Sequence, residues 1–457
     1  MAGKQSKQNA GYHARGQGGS GNDSMFVGMA AVDIAADGPS SPDDPVYAKA
    51  IAFRQGRQQA ALVVCDLVSV RGDVGVQARE AAARESGIPL ENVCLSATHT
   101  HSNREQPDDL VERVARAVVQ AQAAAGPARL QVGKGYRDDL SFNRRYLMRD
   151  GTVMMNPGVL NPDIVRPVGP IDPEIGIILF RDADDKPVAS LTSFASHTCS
   201  FKFDEHRNKD PYDRRADYAY WLERSLREKF GPDFISVFGE GCCEDVGNIE
   251  VNRPHAYVKA TRGQFMLTDY VPKETTAPPS PSNARYVGEG LAEEIRAQVA
   301  RLHDERPALA VRNEVVHAPL ATYSDMDLAW ARGAKDQEVS WLTQFRIERI
   351  LALEELRNKY GETLPLLVQV LRLGEGTAVV ALPGEVFVEH GLAIKKASPF
   401  AHTLPIELCN EREHIASVPL RKSFCEGHFE IVYSRLECGA GEMLVDAAVR
   451  MLKGLAV

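Results

Sequence analysis

Apolar residues in this chain gather into short continuous runs, set apart by polar turns and by longer stretches with a helical period. Residues 60–67, 93–95, 175–180, 188–196 and 234–238 are runs of this kind. Their length and lack of alternation suit strands covered on both faces. Two pairs read as hairpins: polar 181–187 joins 175–180 to 188–196, and Gly374-Glu375-Gly376 joins 366–373 to 377–382.

Helical spacing fills the intervals. Residues 74–86 form a helix that Gly87 ends, and Leu110, Val114, Val118 and Ala121 mark one face of the next, which Gly126-Pro127 stops. Tyr218, Leu222 and Leu226 mark a third, Leu291, Ile295 and Val299 a fourth, and Met443, Ala447, Met451 and Leu455 the last. Strands alternating with helices predict an α/β fold, a mixed or parallel sheet with flanking helices and a metal or ligand site at strand ends. Residues 1–24 are rich in Gly, Gln, Ser and Lys without an apolar core, so the expected layout is a disordered polar tail followed by one domain over 25–457. Residues 275–282 form a Pro-rich loop, and no internal repeat occurs.

The strand ends carry the chemistry. The 93–95 run continues into Ser96-Ala97-Thr98-His99-Thr100-His101-Ser102, which puts two imidazoles two residues apart on one side of the chain. Such a pair in isolation is equally a polar turn. His197 ends the 188–196 strand in the same way, and Pro383-Gly384-Glu385 follows 377–382, where a carboxylate is unfavourable unless paired or metal-bound. Two imidazoles and one carboxylate are a ligand set for a catalytic zinc with a position open to water. Asp217 opens a helix, a place that capping alone explains, and Gly239-Glu240-Gly241-Cys242-Cys243-Glu244-Asp245 follows a strand as a buried turn or a cleft wall. Cys199 is too close to His197 on one strand for a Cys-His nucleophile, and Asp204-Glu205-His206 with Asp210 and Asp213 read as a solvated acidic loop.

Several elements together resemble the neutral/alkaline, non-lysosomal ceramidase family, in that family's order. They are residues 27–34, Thr98-His99-Thr100-His101-Ser102, Phe142-Asn143-Arg144, His197, Ala216-Asp217-Tyr218 and Pro383-Gly384-Glu385. The resemblance implies that His99, His197 and Glu385 hold zinc, that His101 handles a proton or orients a ligand, that Arg144 anchors substrate, and that Asp217 orients a ligand. The chain also departs from the family. Asn103-Arg104-Glu105-Gln106 replaces a Gly-rich continuation, and Ser417 and Phe429 stand where the family carries two tyrosines, one of them completing the metal shell. The family's C-terminal immunoglobulin-like domain is expected to be missing.

Composition narrows the field. An excess of 62 acidic over 53 basic residues, a net charge of −9, argues against a nucleic-acid partner. There is no apolar run of about eighteen residues for a membrane span. Eight scattered cysteines without a disulfide spacing make a cytoplasmic location the default. The reading is a zinc-dependent hydrolase of the amidase or esterase type, acting on a small polar acyl compound rather than long-chain ceramide. A metal-dependent lyase or isomerase on a sugar acid, and a non-catalytic binding protein on the same fold, remain the alternatives; the oligomeric state is open.

Overall fold

The computed structural model describes residues 24–158, 161–200, 215–248 and 281–456, apart from 37, 39 and 41–43. The expected N-terminal tail, the acidic loop at 204–213 and most of the Pro-rich loop lie outside these residues. The predicted strands and helices form, and two large sheets result where one was expected, with three smaller ones of two or three strands beside them. The first is nine-stranded. Its main path runs Ile235–Glu240, Pro187–Phe194, Glu174–Arg181, Gly126–Tyr136, Met25–Asp33, Tyr47–Gln55, Gln58–Cys65, Val93–Ala97. Neighbours are antiparallel except at the two ends, where 187–194 runs parallel to 235–240 and 58–65 parallel to 93–97. The second sheet holds Pro307–Pro319, Thr363–Gly374, Thr377–Ala381 and His402–Ile406, the last pair parallel.

The strand period shows how the sheets stack. Along 58–65, Ala61, Val63 and Cys65 face helices, whereas Ala60, Leu62 and Val64 face the other sheet. Phe53, Leu62, Ile178, Leu191 and Val237 from the first sheet meet Leu371, Leu373, Val379, Leu404 and Ile406 from the second. The sheets approach so closely that a Cβ on Gly239 would lie 2.6 Å from Ile406 Cγ2. The helices Gly72–Ser86 and Leu110–Ala123 cover one part of the first sheet's outer face, and Tyr218–Phe230 and Pro281–Gln298 another. Trp341–Tyr360, Val388–Ala397 and Ala440–Leu455 cover the second. The order is therefore helix, sheet, sheet, helix. A run buried on both faces is equally well covered by a helix or by another sheet, so the apolar pattern could not separate the two cases.

Helix ends follow local chemistry. Gly87 takes a left-handed φ of 74° after Ser86 and returns its N–H to Ala83 O. In the last helix the buried face is Leu444, Ala447, Ala448, Met451, Leu452 and Leu455, while Met443 is exposed, one residue off the expected stripe. Two features position the site. The first sheet curls, so that Lys49 in Tyr47–Gln55 donates to Ser236 O (3.2 Å) in the strand at the far edge. The edge strand Val93–Ala97 is also pinned to the segment after 402–406, with Leu95 N donating to Asn410 Oδ1 (3.0 Å) and Ser96 Oγ to Glu407 O (2.9 Å). His99, His197 and Glu385, which leave three separate strands, thereby reach one place. None of the described helices is long and apolar enough to cross a membrane. All eight cysteines are free thiols.

Candidate metal centre

His99 sits in a left-handed turn, φ 59°, two residues past its strand. That conformation is uncommon for a residue with a side chain, and here it swings the imidazole back over the strand ends. Its Nδ1 lies 2.7 Å from Val68 O. A carbonyl only accepts, so Nδ1 carries the hydrogen and the Nε2 lone pair faces inward. His197 is built alike: its N–H donates to Val246 O (3.1 Å), and its Nδ1 faces Cys243 O (3.3 Å). Glu385 follows Gly384, whose φ of 79° and close approach to Ile415, 2.6 Å from a notional Cβ, leave room for glycine alone. Glu385 and Val386 then pair in parallel with Ser417 and Val418.

Four donor atoms converge. His99 Nε2 lies 2.9 Å from His197 Nε2, 3.2 Å from His101 Nε2 and 3.4 Å from Glu385 Oε2. Ligands about 2.0–2.1 Å from a tetrahedral ion stand about 3.3 Å apart, so the spacing suits atoms sharing one cation. Imidazole and carboxylate donors suit a divalent metal ion, and His99, His197 and Glu385 are all buried. Without a metal, a proton takes that place. Burial disfavours charge on His99, yet Glu385 outweighs it and lifts the imidazole to about 9, while burial keeps His101 and His197 neutral. Burial would raise Glu385, but His99 holds it well below the usual carboxylate range.

Arg144 lies beside this group, bridging Glu244 Oε2 (Nη2, 2.9 Å) and Glu430 Oε1 (Nε, 3.2 Å). Arg145 reaches Glu430 Oε2 (3.2 Å) from the other side. Burial opposes the Arg144 charge, and Glu244 and Glu430 more than restore it. Asp217 is not in the convergent set. Its two oxygens accept from Tyr218 N (2.6 Å) and Ser200 N (2.9 Å), and the Tyr218 hydroxyl donates to Ser196 O, so the pair fastens the segment on either side of His197.

A layer of buried carboxylates that the sequence did not assign lies beneath the imidazoles. Glu240 accepts from Thr198 N (3.1 Å) and Thr198 Oγ1 (2.7 Å), and Glu407 from Val386 N (2.7 Å) and Cys243 N (3.2 Å). The Cys243 thiol lies between the two carboxyls, 3.1 Å from Glu240 and 3.4 Å from Glu407. This layer ties the residue after His197 to the residue after Glu385. Burial raises both carboxyls, Glu240 to about 7. The only signal for it was the Glu240 to Asp245 turn following a strand.

No family model matches the chain. A curated neutral ceramidase from Pseudomonas aeruginosa is 26% identical over 202 residues, which amounts to 40% of this chain and 27% of that protein. The crystal structure of the P. aeruginosa neutral ceramidase superposes on 95% of this chain and 75% of its own, with a TM-score of 0.63 and 16% identity. A ceramidase complexed with C2 gives 0.62 and 16% over 95% and 76%. The fold is that of neutral ceramidase. The resemblance expected from the Thr-His-Thr-His-Ser element holds, at a distance: the chain is divergent and neutral ceramidase-like.

Ser417 and Phe429, the two positions where the resemblance led to an expectation of tyrosine, now have surroundings. Ser417 stands opposite Glu385, and its hydroxyl donates to Glu244 Oε1. Phe429 stacks on Tyr433, with centroids 5.1 Å apart, and its ring centroid is 5.8 Å from Arg144 Cζ. One helical turn beyond Phe429, Tyr433 brings a phenol to the same neighbourhood, its oxygen 2.7 Å from His414 Nε2. Its spacing of four from Phe429 was the available sequence signal.

Proposed function

We propose that this chain is a zinc-dependent hydrolase of amide or ester bonds, with His99, His197 and Glu385 as the metal ligands. The observation that carries the reading is the convergence of His99 Nε2, His197 Nε2 and Glu385 Oε2, with both imidazoles oriented through Nδ1 by backbone carbonyls. These residues would hold a zinc ion, which would supply Lewis-acid chemistry and water activation near neutral pH. His101, with Nε2 aimed at the same point, would assist proton transfer there. Arg144, charged throughout the working range, offers its guanidinium to the substrate's carbonyl or anionic oxygen while Glu244 and Glu430 hold it in place. Asp217 keeps the His197 segment rigid.

The fold similarity to neutral ceramidase supports a hydrolase. The replaced tyrosines, Ser417 and Phe429, support a small polar acyl compound as substrate instead of long-chain ceramide. The test is a turnover screen of zinc-loaded protein against short acyl amides, lactones, acylated sugars and ceramide. Release of an acyl group from the short compounds, with ceramide turned over poorly, is the expected result. Efficient ceramide cleavage overturns the substrate class, and a product without a released acyl group overturns the hydrolase.

A further inference from the structure

The three histidines at the centre do not share one hydrogen-bonding environment. His99 and His197 each point Nδ1 at a backbone carbonyl, Val68 O and Cys243 O, so each carries its hydrogen on Nδ1. His101 points Nδ1 at Arg104 Nη2, 3.1 Å away. A guanidinium has donors and no acceptor, so in this contact Nδ1 must accept, and the hydrogen of a neutral ring then resides on Nε2. Arg104 Nε also donates to His101 O (3.2 Å), so one side chain grips both the ring and the backbone of the same residue. The His101 N–H in turn donates to Thr198 O (3.1 Å), which fixes the residue against the His197 segment. His101 Nε2, the ring nitrogen that carries its hydrogen, therefore faces His99 Nε2, 3.2 Å away.

We propose that Arg104 is a positioning residue: its guanidinium fixes the hydrogen of His101 on Nε2, which keeps His101 a hydrogen-bond donor at the metal centre and prevents it from becoming a third imidazole ligand. The local chemistry makes the choice a real one. All three Nε2 atoms lie close enough to share an ion, so distance alone does not separate a ligand from a hydrogen-bond donor. The partner of each Nδ1 does. Arg104 is exposed, so it acts through hydrogen-bond direction with little packing, and its loss leaves the apolar layers untouched. The effect on rate rests on the hydrolase reading, whereas the location of the hydrogen does not.

The test uses the zinc-loaded full chain labelled with ¹⁵N-histidine. Ring nitrogen resonances are assigned to His101 by their loss in His101→Ala. Zinc content and hydrolysis of p-nitrophenyl acetate are measured on the same samples. Wild type is expected to show a bare Nδ1 and a hydrogen-bearing Nε2 at His101. In Arg104→Met the pattern should move toward that of two exchanging tautomers while zinc stays at about one per chain. Mispositioning a catalytic group should lower kcat by about 10- to 100-fold, with KM little changed. Arg104→Lys, which retains a donor, should recover the wild-type ring pattern. A hydrogen on Nδ1 of His101 in wild type, or an Nε2 bound to zinc, overturns the proposal. So does an Arg104→Met variant whose ring pattern is that of wild type. Should wild type leave the ester intact while the ring pattern still answers to residue 104, the hydrolase reading fails and the role of Arg104 stands.

Discussion

Two interiors of this molecule are made by the same strands. Midway along them, Leu62, Ile178 and Leu191 pack against Leu371, Val379 and Leu404, an apolar layer that many side-chain sets of equal volume could fill. A few residues further on, the strands 93–97, 187–194 and 377–381 lead into His99, His197 and Glu385, and Glu240, Glu244, Glu407 and Glu430 are all fully buried around them. Burial costs a carboxylate its hydration, and without a metal the nearby cations include Arg144, Arg145 and the protonated His99. The apolar layer stabilises the fold without specifying chemistry. The strand-end layer specifies chemistry and, when metal-free, works against the fold. A region that breaks the local rules of burial in this way is where function is expected to reside.

The largest effect should come from removing a ligand. His99→Ala, His197→Ala and Glu385→Ala should each drop zinc from about one per chain to a small fraction and bring turnover to background, because three strands contribute one donor apiece. Elemental analysis of the purified variants reads this directly. Full occupancy in all three would erase the distinction drawn between the two interiors.

Next comes His101→Ala, which should keep zinc near one per chain yet lose turnover by about 10²–10⁴-fold, the usual contribution of a general acid or base. Parallel metal analysis and steady-state kinetics separate the two readouts. Loss of the metal would make His101 a ligand, and full activity with zinc bound would remove it from the chemistry.

How much of this was legible in the sequence differs between the same two interiors. The strands announced themselves through continuous apolar runs, and Gly87 and Asp217 marked helix boundaries through local backbone chemistry. The second sheet did not, because 366–373 looks the same whether a helix or a sheet covers it. His99, His197 and Glu385 could be proposed because each follows a strand. Glu407 and Glu430 could not, since their partners Val386 and Arg145 are distant in sequence and only the stacked sheets bring them near. The hydrogen bond from Arg104 to the His101 ring is local in sequence but depends on the turn that His99 makes at positive φ. No apolar or helical period reports such a turn.

A third substitution probes the apolar layer. Leu371 is 1% exposed between the sheets, and Leu371→Ala should cost about 2–5 kcal/mol of stability through lost burial and the cavity left behind. Zinc content and kcat of the folded variant should stay near wild type. Denaturant titration together with metal analysis checks both. A variant that unfolds by less than about 1 kcal/mol sooner, or that loses its zinc while folded, would mean that the two layers are not energetically separate.

The smallest effect is a pH dependence that should differ between chelated and zinc-loaded protein. Asp66 ends the strand 58–65 side of the site, accepting from Tyr47 N (2.9 Å), and its backbone carbonyl accepts from Asn103 Nδ2 (2.7 Å). Burial raises its carboxyl to about 6, with Lys49 opposing the shift only in part. In the unfolded chain an aspartate titrates near about 3.9, so between the two values the folded state holds a proton that the unfolded state has released. This contribution to stability is therefore fully present below about pH 4 and is lost as pH rises through about 6, by up to about 3 kcal/mol. A divalent cation at the neighbouring centre favours the carboxylate and should shrink the loss. Thermal melts from pH 4.5 to 7.5 should show the chelated protein losing stability more steeply than the zinc-loaded one. Asp66→Asn, which keeps an acceptor for Tyr47 N and cannot ionise, should flatten the chelated curve. Stability that climbs with pH across this window in the chelated protein, or a slope unchanged in Asp66→Asn, would place the cost of the strand-end layer on other groups.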